Sequence, residues 1–394
     1  MFSKANAALA FLLATVVTAS LANQTKSETE ASPAWKLDLK RLEYPECEEP
    51  IFQCMTKQVF FLDDNTIAVS FVTLTVDGLN QHQEIRKQKG LVHWEPLSAN
   101  LHLLLLDAQS GKLLRQKLWP TSHWYGQIVL VEKGKLLLYT SGRLALYSYS
   151  MDFNEIRSTP VPPQDEEGRA PELLGSSDGS TVLLKRRVAD YTYTFTLLST
   201  ETLQPLATWT EREDRYTPYP VSGETIVKRE ENSHRESRVL ARTAGTGWRQ
   251  LAPSVLGCDW PTLVNPRTVV LSSCDGLAVL SVDGHVLFSD KLQRKHFTWS
   301  DGAVTSAGGQ RFALLSYKMK GVDIPRLDLN AYPSAQSLLV YDLSNGGPVY
   351  TLKSKSLSAN RVWLHLSPDG SRVAVLAKGI LELYELSDQA APQQ

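Results

Sequence analysis

The stretch LSPDGSRVAVLAKGILELYELS, Leu366 to Ser387, reads as turn, strand, turn, strand. Ser367-Pro368-Asp369-Gly370 supplies turn residues, and Val373, Val375, Ile380, Leu383 and Tyr384 carry the apolar pattern of the two strands. Two strands this short cannot bury both faces by themselves. The rest of the chain must therefore hold what they pack on.

The same turn-plus-strand unit recurs upstream. It stands at DDNTIAV (from Asp63), EKGKLLL (Glu132), SDGSTVLL (Ser177), VSGETIV (Val221), NPRTVVL (Asn265), AGGQRFALL (Ala307) and SPDGSRVAVL (Ser367). The residues that precede each apolar run are Thr66, Lys135, Thr181, Thr225, Thr268, Arg311 and Arg372, in steps of 69, 46, 44, 43, 43 and 61 residues. Propeller blades repeat at about 40–45 residues, and the two long steps carry insertions near residues 77–99 and 318–336. Further strand-like runs follow within each period, such as GRLALYSYS, YTYTFTLLST and GLAVLSVDG. Helical periodicity is almost absent. The pattern predicts an all-β fold, a seven-bladed β-propeller of four-stranded antiparallel blades over residues 34–387. In such an array neighbouring blades cover each other's apolar faces, and a closed ring leaves only short edges.

The seventh unit is one strand short. The chain runs out in DQAAPQQ, a tail over residues 388–394, while AWKLDLKRL (Ala34 to Leu42) alternates near the other end without a unit of its own. This segment is expected to supply the fourth strand of the last blade and so close the ring.

With those motifs in place, LSPDGSRVAVL and SSDGSTVLL resemble the S-P-D-G turn-and-strand repeat of the TolB-like and YVTN-type bacterial propellers, relatives in shape of the WD-repeat. The resemblance implies the fold and no site. The G-H and W-D pair of true WD-repeats is missing, and SSDGST departs from the sialidase Asp-box.

Residues 1–22 read as a secretory signal peptide: one lysine, an apolar run from Ala7 to Ala19, then small residues before a cleavage point after Ala22. An uncleaved anchor is the alternative, with a run short for a bilayer span. Residues 23–33 read as a polar, disordered tether. The expected location is outside the cytoplasm, periplasmic or secreted, with no stable membrane insertion. Four cysteines in an exported chain suggest disulfides Cys47–Cys54 and Cys258–Cys274, against four buried thiols as the plainer reading. A hairpin about Asn265-Pro266-Arg267 sets Cys258 opposite Cys274 to within one residue. Lys plus Arg is 41 and Asp plus Glu is 42, which leaves no basic surplus for nucleic acid. RKQK (Arg86 to Lys89) and KRR (Lys185 to Arg187) are expected on solvated faces.

Blade strands A to D run antiparallel from the centre outward, so the B–C and D–A connections share one face. Both insertions fall in B–C connections, of blades 1 and 6. The D–A connections bring Trp119, His123, Trp124 and Tyr125 to blade 2, Tyr216 and Tyr219 to blade 4, His296 and Trp299 to blade 6, and Trp363 and His365 to blade 7. These form the candidate ligand-binding face, since aromatics with a polar tip suit half-wet surfaces. Wedging between blades is the competing reading for each. His123, His296 and His365 lie near inner strands, but no close-spaced metal pair occurs and no metal or cofactor is expected. GxSxG, HExxH, GxxxxGK[ST] and GxGxxG are all missing from the sequence. The function expected is a non-catalytic exported binding or scaffold module, acting as a monomer on a protein, peptide or glycan through this face. The alternative is an exported propeller enzyme, a lactonase-like hydrolase or a quinone-dependent oxidoreductase.

Overall fold

The computed structural model describes residues 31–42, 44, 58–78, 80, 98–122, 126–130, 135–140, 145–161, 171–212, 219, 221–231, 237–252, 260–273, 276–291, 296–298, 303–318, 334–358 and 362–386. Within them the chain forms seven antiparallel sheets. In chain order, β1 (Trp35–Asp38) comes first and belongs to the last blade. Blade 1 is β2 (Gln58–Asp63), β3 (Thr66–Leu74), β4 (Ser98–Asp107) and β5 (Leu113–Ser122). Blade 2 is β6 (Gly126–Leu130), β7 (Lys135–Thr140), β8 (Ala145–Ser150) and β9 (Glu155–Pro160). Blade 3 is β10 (Glu172–Gly175), β11 (Thr181–Ala189), β12 (Thr192–Ser199) and β13 (Pro205–Arg212). Blade 4 is β14 (Val221–Ser222), β15 (Thr225–Glu231), β16 (Ser237–Thr243) and β17 (Arg249–Ala252). Blade 5 is β18 (Trp260–Asn265), β19 (Thr268–Ser273), β20 (Gly276–Ser281) and β21 (Val286–Lys291). In blade 6 the inner strand is split into β22 (His296–Thr298) and β23 (Val304–Thr305), which both pair with β24 (Arg311–Lys318); β25 (Ser334–Asp342) and β26 (Gly347–Leu352) follow. Blade 7 holds β27 (Val362–Leu366), β28 (Arg372–Ala377) and β29 (Ile380–Glu385), with β1 as its outermost strand.

The fold is thus the seven-bladed propeller that the repeats predict. Thr66, Lys135, Thr181, Thr225, Thr268, Arg311 and Arg372 are each the first residue of a second strand. The closure is in register: Trp35 faces Leu383, Lys36 faces Glu382, Leu37 faces Leu381 and Asp38 faces Ile380. Each seam between blades buries its own apolar cluster, because each sheet has two faces and only neighbours to cover them. At the closing seam Leu39, Ile67, Phe71, Leu104, Ala374 and Leu381 come together, with Trp35, Leu37 and Trp363 packed against them.

Two details differ from the sequence reading. The closing strand ends at Asp38, and Leu39–Leu42 form a 3-10 turn instead of extending the strand to Leu42. The Asp38 carboxylate accepts the Lys40 N–H at 3.0 Å, and the Leu39 N–H is tied to Gly379 O at 2.9 Å, which turns Leu39 fully into the core. The tether also docks earlier than residue 34. Ala31 donates its N–H to Lys353 O at 3.1 Å and packs against the blade 6–blade 7 cluster. Lys185, expected on a solvated face, is only 5 % exposed.

Candidate functional site

The two faces of the ring are built from different connections. The A–B turns, rich in Ser, Asp and Gly, tie neighbouring blades together. Asp369 N–H donates to Asp64 Oδ1 at 3.2 Å, and Arg372 donates to Asp64 O, across the blade 7–blade 1 seam. Between blades 6 and 7, Arg311 Nη1 donates to Gly370 O at 3.0 Å and Gly308 N–H to Pro368 O at 3.0 Å. Asn265 Nδ2 donates to Gly309 O at 2.9 Å between blades 5 and 6, and Gly223 N–H to Asp178 Oδ1 at 3.1 Å between blades 3 and 4. Polar groups on this face are largely spent on the fold. The SPDG turn explains why: Asp369 accepts from the Ser371 N–H at 2.9 Å and from the Ser367 and Ser371 hydroxyls, which fixes the turn and aims Arg372 at blade 1. Gly370, at φ 70°, lies where a Cβ would stand 2.8 Å from Arg311 Cδ.

The opposite face carries the B–C and D–A connections. The connection from β3 to β4 spans residues 75–97 and that from β24 to β25 spans 319–333, and both leave their blades on this side. Of the candidate residues, His123, Trp124, Tyr125, Tyr216 and Trp299 lie outside the described residues, as does the side chain of His296, whose backbone pairs with Lys318 in β22. The placed ones do not gather at one mouth. Trp119 stands on the outermost strand of blade 1, half-buried, 5.7 Å from the Tyr149 ring and 5.9 Å from Phe153 of blade 2. Tyr219 is buried against Phe195, ring centroids 4.6 Å apart, at the blade 3–blade 4 seam. Trp363 is half-buried against the closing core. His365 Nδ1 lies 3.2 Å from the Phe61 N–H of blade 1 and 2.8 Å from Leu366 O. Burial favours the neutral ring and, against the raising effect of the Leu366 carbonyl, takes its pKa down to about 4. These four residues sit where blades meet. The four cysteines, Cys47, Cys54, Cys258 and Cys274, lie outside the described residues.

Side chains that the sequence did not single out form a polar joint between blades 3 and 4. Lys228 Nζ is 2.9 Å from Glu211 Oε2 and 4.5 Å from the centroid of Trp248, whose indole N–H also donates to Glu211. Arg242 lies over Trp209 at 4.4 Å and near Trp248 at 5.4 Å. Lys185 is held 3.7 Å from Glu172 and over Tyr193 at 4.6 Å. Buried cations are markers of function only when unpaired or strongly perturbed; Lys185 and Lys228 each have a carboxylate and a ring. The one sequence signal was IVKREE, Ile226 to Glu231, where charge enters a strand that must face two neighbours. Among the described residues no group of three or more metal-ligating side chains converges, and no helix is long and apolar enough to cross a membrane.

No family model matches the sequence, and no curated protein does. Solved structures do. The β-propeller domain of the Trilobed protease from Pyrococcus furiosus, described as having an open velcro topology, superposes with a TM-score of 0.50 at 8% identity, over 86% of this chain and 99% of that one. A TolB candidate from Agrobacterium tumefaciens gives 0.40 at 14% identity, over 68% and 94%. BamB from Moraxella catarrhalis gives 0.36 at 15%, over 73% and 81%. TolB-like and BamB-like propellers are thus among the structural neighbours, and at these identities the likeness speaks for the fold alone.

Proposed function

We propose that the chain is an exported, non-catalytic propeller that binds a protein, peptide or glycan on the face formed by its B–C and D–A connections. The observation that carries this reading is the contrast between the faces. The A–B turns are consumed in holding blades together, while both long connections, residues 75–97 and 319–333, leave on the other side in blades that flank blade 7. Long connections in compact domains are usually functional or disordered. Trp124 and Trp299 are the residues assigned to contact the partner.

The test immobilises the secreted chain and compares wild type with Trp124→Ala/Trp299→Ala against native envelope extract. Loss of the captured partner at an unchanged melting temperature supports the face. A double variant that unfolds, with capture per folded molecule unchanged, makes these residues packing wedges and ends the assignment.

Export and the disulfides belong to the same proposal. N-terminal sequencing of the exported chain should begin at or near Asn23. The blade 5 register, with Trp260 opposite Ser272, is described, and Cys258 and Cys274 lie outside the described residues. Non-reducing peptide mapping should recover Cys258–Cys274 and Cys47–Cys54. A cross-pair such as Cys54–Cys258 would contradict it.

A further inference from the structure

In blade 3, β11, β12 and β13 run for 9, 8 and 8 residues. The apolar blade 2–blade 3 contact stops at Leu184 and Leu198. Beyond it the flank of blade 3 that looks toward blade 2 changes character. Tyr193, Phe195 and Trp209 point the other way, into the blade 4 seam. By the two-residue period of strands, Thr192, Thr194 and Thr196 on β12 and Thr208 and Thr210 on β13 therefore share this flank. Thr196 faces Thr208 and Thr194 faces Thr210 across the pair, and the Thr194 and Thr210 hydroxyls are 3.2 Å apart. Thr208 and Thr210 are exposed and the other three half-buried.

Arginines border the hydroxyls. Arg186 pairs across from Thr194, and Arg212 across from Thr192. The neighbouring Arg187 is committed to Asp190 at 2.5 Å, but Arg186 has no carboxylate partner among the described residues. No acidic residue shares this flank in the three strands, since Glu211 is turned to Lys228. At the hairpin tip Tyr191 is 57% exposed with a left-handed φ of 55°.

We propose that this flank of blade 3 binds an anionic polysaccharide, one whose sugar units carry carboxylates. Each threonine hydroxyl both donates and accepts, which suits a ligand made of hydroxyls. The array repeats at about 4.8 Å across strands and ~6.7 Å along them, a flat lattice for a linear polymer. Arg186 offers a planar fork that matches a carboxylate two-to-two. A protein partner is disfavoured because the flank lacks the apolar, aromatic centre that protein interfaces bury. The surface starts at the β11–β12 hairpin, itself a B–C connection, and runs outward along β12 and β13; it does not depend on Trp124 or Trp299.

Affinity electrophoresis of the full chain in gels containing polygalacturonate, dextran or polyglutamate tests it. Retardation is expected with polygalacturonate alone. Arg186→Gln and Thr194→Val/Thr210→Val should each weaken it about ten-fold, the scale of one charged or two neutral hydrogen bonds, with melting temperatures at the wild-type value. If the double valine variant melts early, Thr208→Val, at the exposed edge, replaces it. The proposal is overturned by a lack of retardation in polygalacturonate, by equal retardation in polyglutamate (which needs charge only), or by variants that bind like wild type.

Discussion

The seam between blades 7 and 1 and the seam between blades 3 and 4 solve one geometric problem with different chemistry. At the first the two ends of the chain meet, and an apolar cluster is crossed by bonds to backbone: Trp35 Nε1 to Ala108 O at 2.9 Å, Phe61 N–H to His365, Arg372 to Asp64 O. At the second the chain runs continuously from one blade to the next, and paired cations lie between rings: Lys228 with Glu211 and Trp248, Arg242 with Trp209. Blade 7 is completed by a strand from the other end of the chain, so β1 and β29 are held together by burial and by bonds that exist in one register only. A joint inside the chain is already close by connectivity and tolerates charge, which costs desolvation but fixes alignment.

The largest effect expected is at the closing seam. Removal of residues through 30 should leave cooperative unfolding intact, since Ala31, which bonds to Lys353 O, and all of β1 are kept. Removal through residue 42 takes away β1, Trp35 and Leu39, exposes the edge of β29 and should give aggregation. Trp35→Ala alone should cost about 3 kcal/mol by chemical denaturation. Equal stability of the two truncations would break the comparison, because the ends would then not carry the seam.

At the blade 3–blade 4 seam, Glu211→Ala strands Lys228 and the Trp248 N–H together. The expected cost is about 3 kcal/mol, the range for a buried pair that loses one partner. Lys228→Met/Glu211→Leu should recover part of that loss. A double variant worse than Glu211→Ala would mean that the cation itself, not its neutralisation, aligns the blades.

His365 sharpens the contrast through pH. Its folded pKa is lowered from 6.5 to about 4. The unfolded chain therefore binds the proton first, so this contribution is complete above pH 6.5 and is lost as pH falls toward 4. His365→Asn keeps an acceptor for the Phe61 N–H and removes the titration. Stability curves of wild type and variant should converge as pH falls from 6.5 to 4. Parallel curves would show that the ring nitrogen does not titrate at the seam.

The fold was legible because one physical constraint repeats. Each second strand must start after a tight turn, so Thr66 through Arg372 mark the blades, and the lone strand beginning at Trp35 had only the seventh blade to complete. The side-chain environments were less so. Lys185 reads as surface beside Arg186 and Arg187, yet the neighbouring blade covers it, a tertiary fact with no local signal. Trp119 and Tyr219 read equally as face or wedge, and their ring partners, Tyr149 and Phe195, are 30 and 24 residues away in sequence. Periodicity tells which side of a strand a residue takes, not what the next blade puts there.

The smallest effect expected is at the Ser367–Gly370 turn of blade 7. Burial would raise the Asp369 pKa, but hydrogen bonds from the Ser367 and Ser371 side chains and the Ser371 N–H, with the Arg372 charge, outweigh it and bring the carboxyl down to about 2. A lowered acid contributes stability above its unfolded value of 3.8 and loses it as pH falls through about 2. Asp369→Asn should cost about 1 kcal/mol at neutral pH, the low end for a charged acceptor, because the side chain is solvent-exposed. The same variant should lose the wild-type decline between pH 3.8 and 2, in the window below that of His365. Both groups serve the closing seam, Asp369 through Arg372 and Asp64, His365 through Phe61. If acid opens the ring there first, hydrogen exchange of the Phe61 and Asp369 amides should accelerate below pH 3.8 before the Gly223 amide, which Asp178 holds at the blade 3–blade 4 seam. Asp178 is also lowered, with burial opposing and the Ser176, Gly223 and Ser180 bonds prevailing, so simultaneous release of all three amides would show that acid attacks both seams alike and that the closure is not the weaker joint.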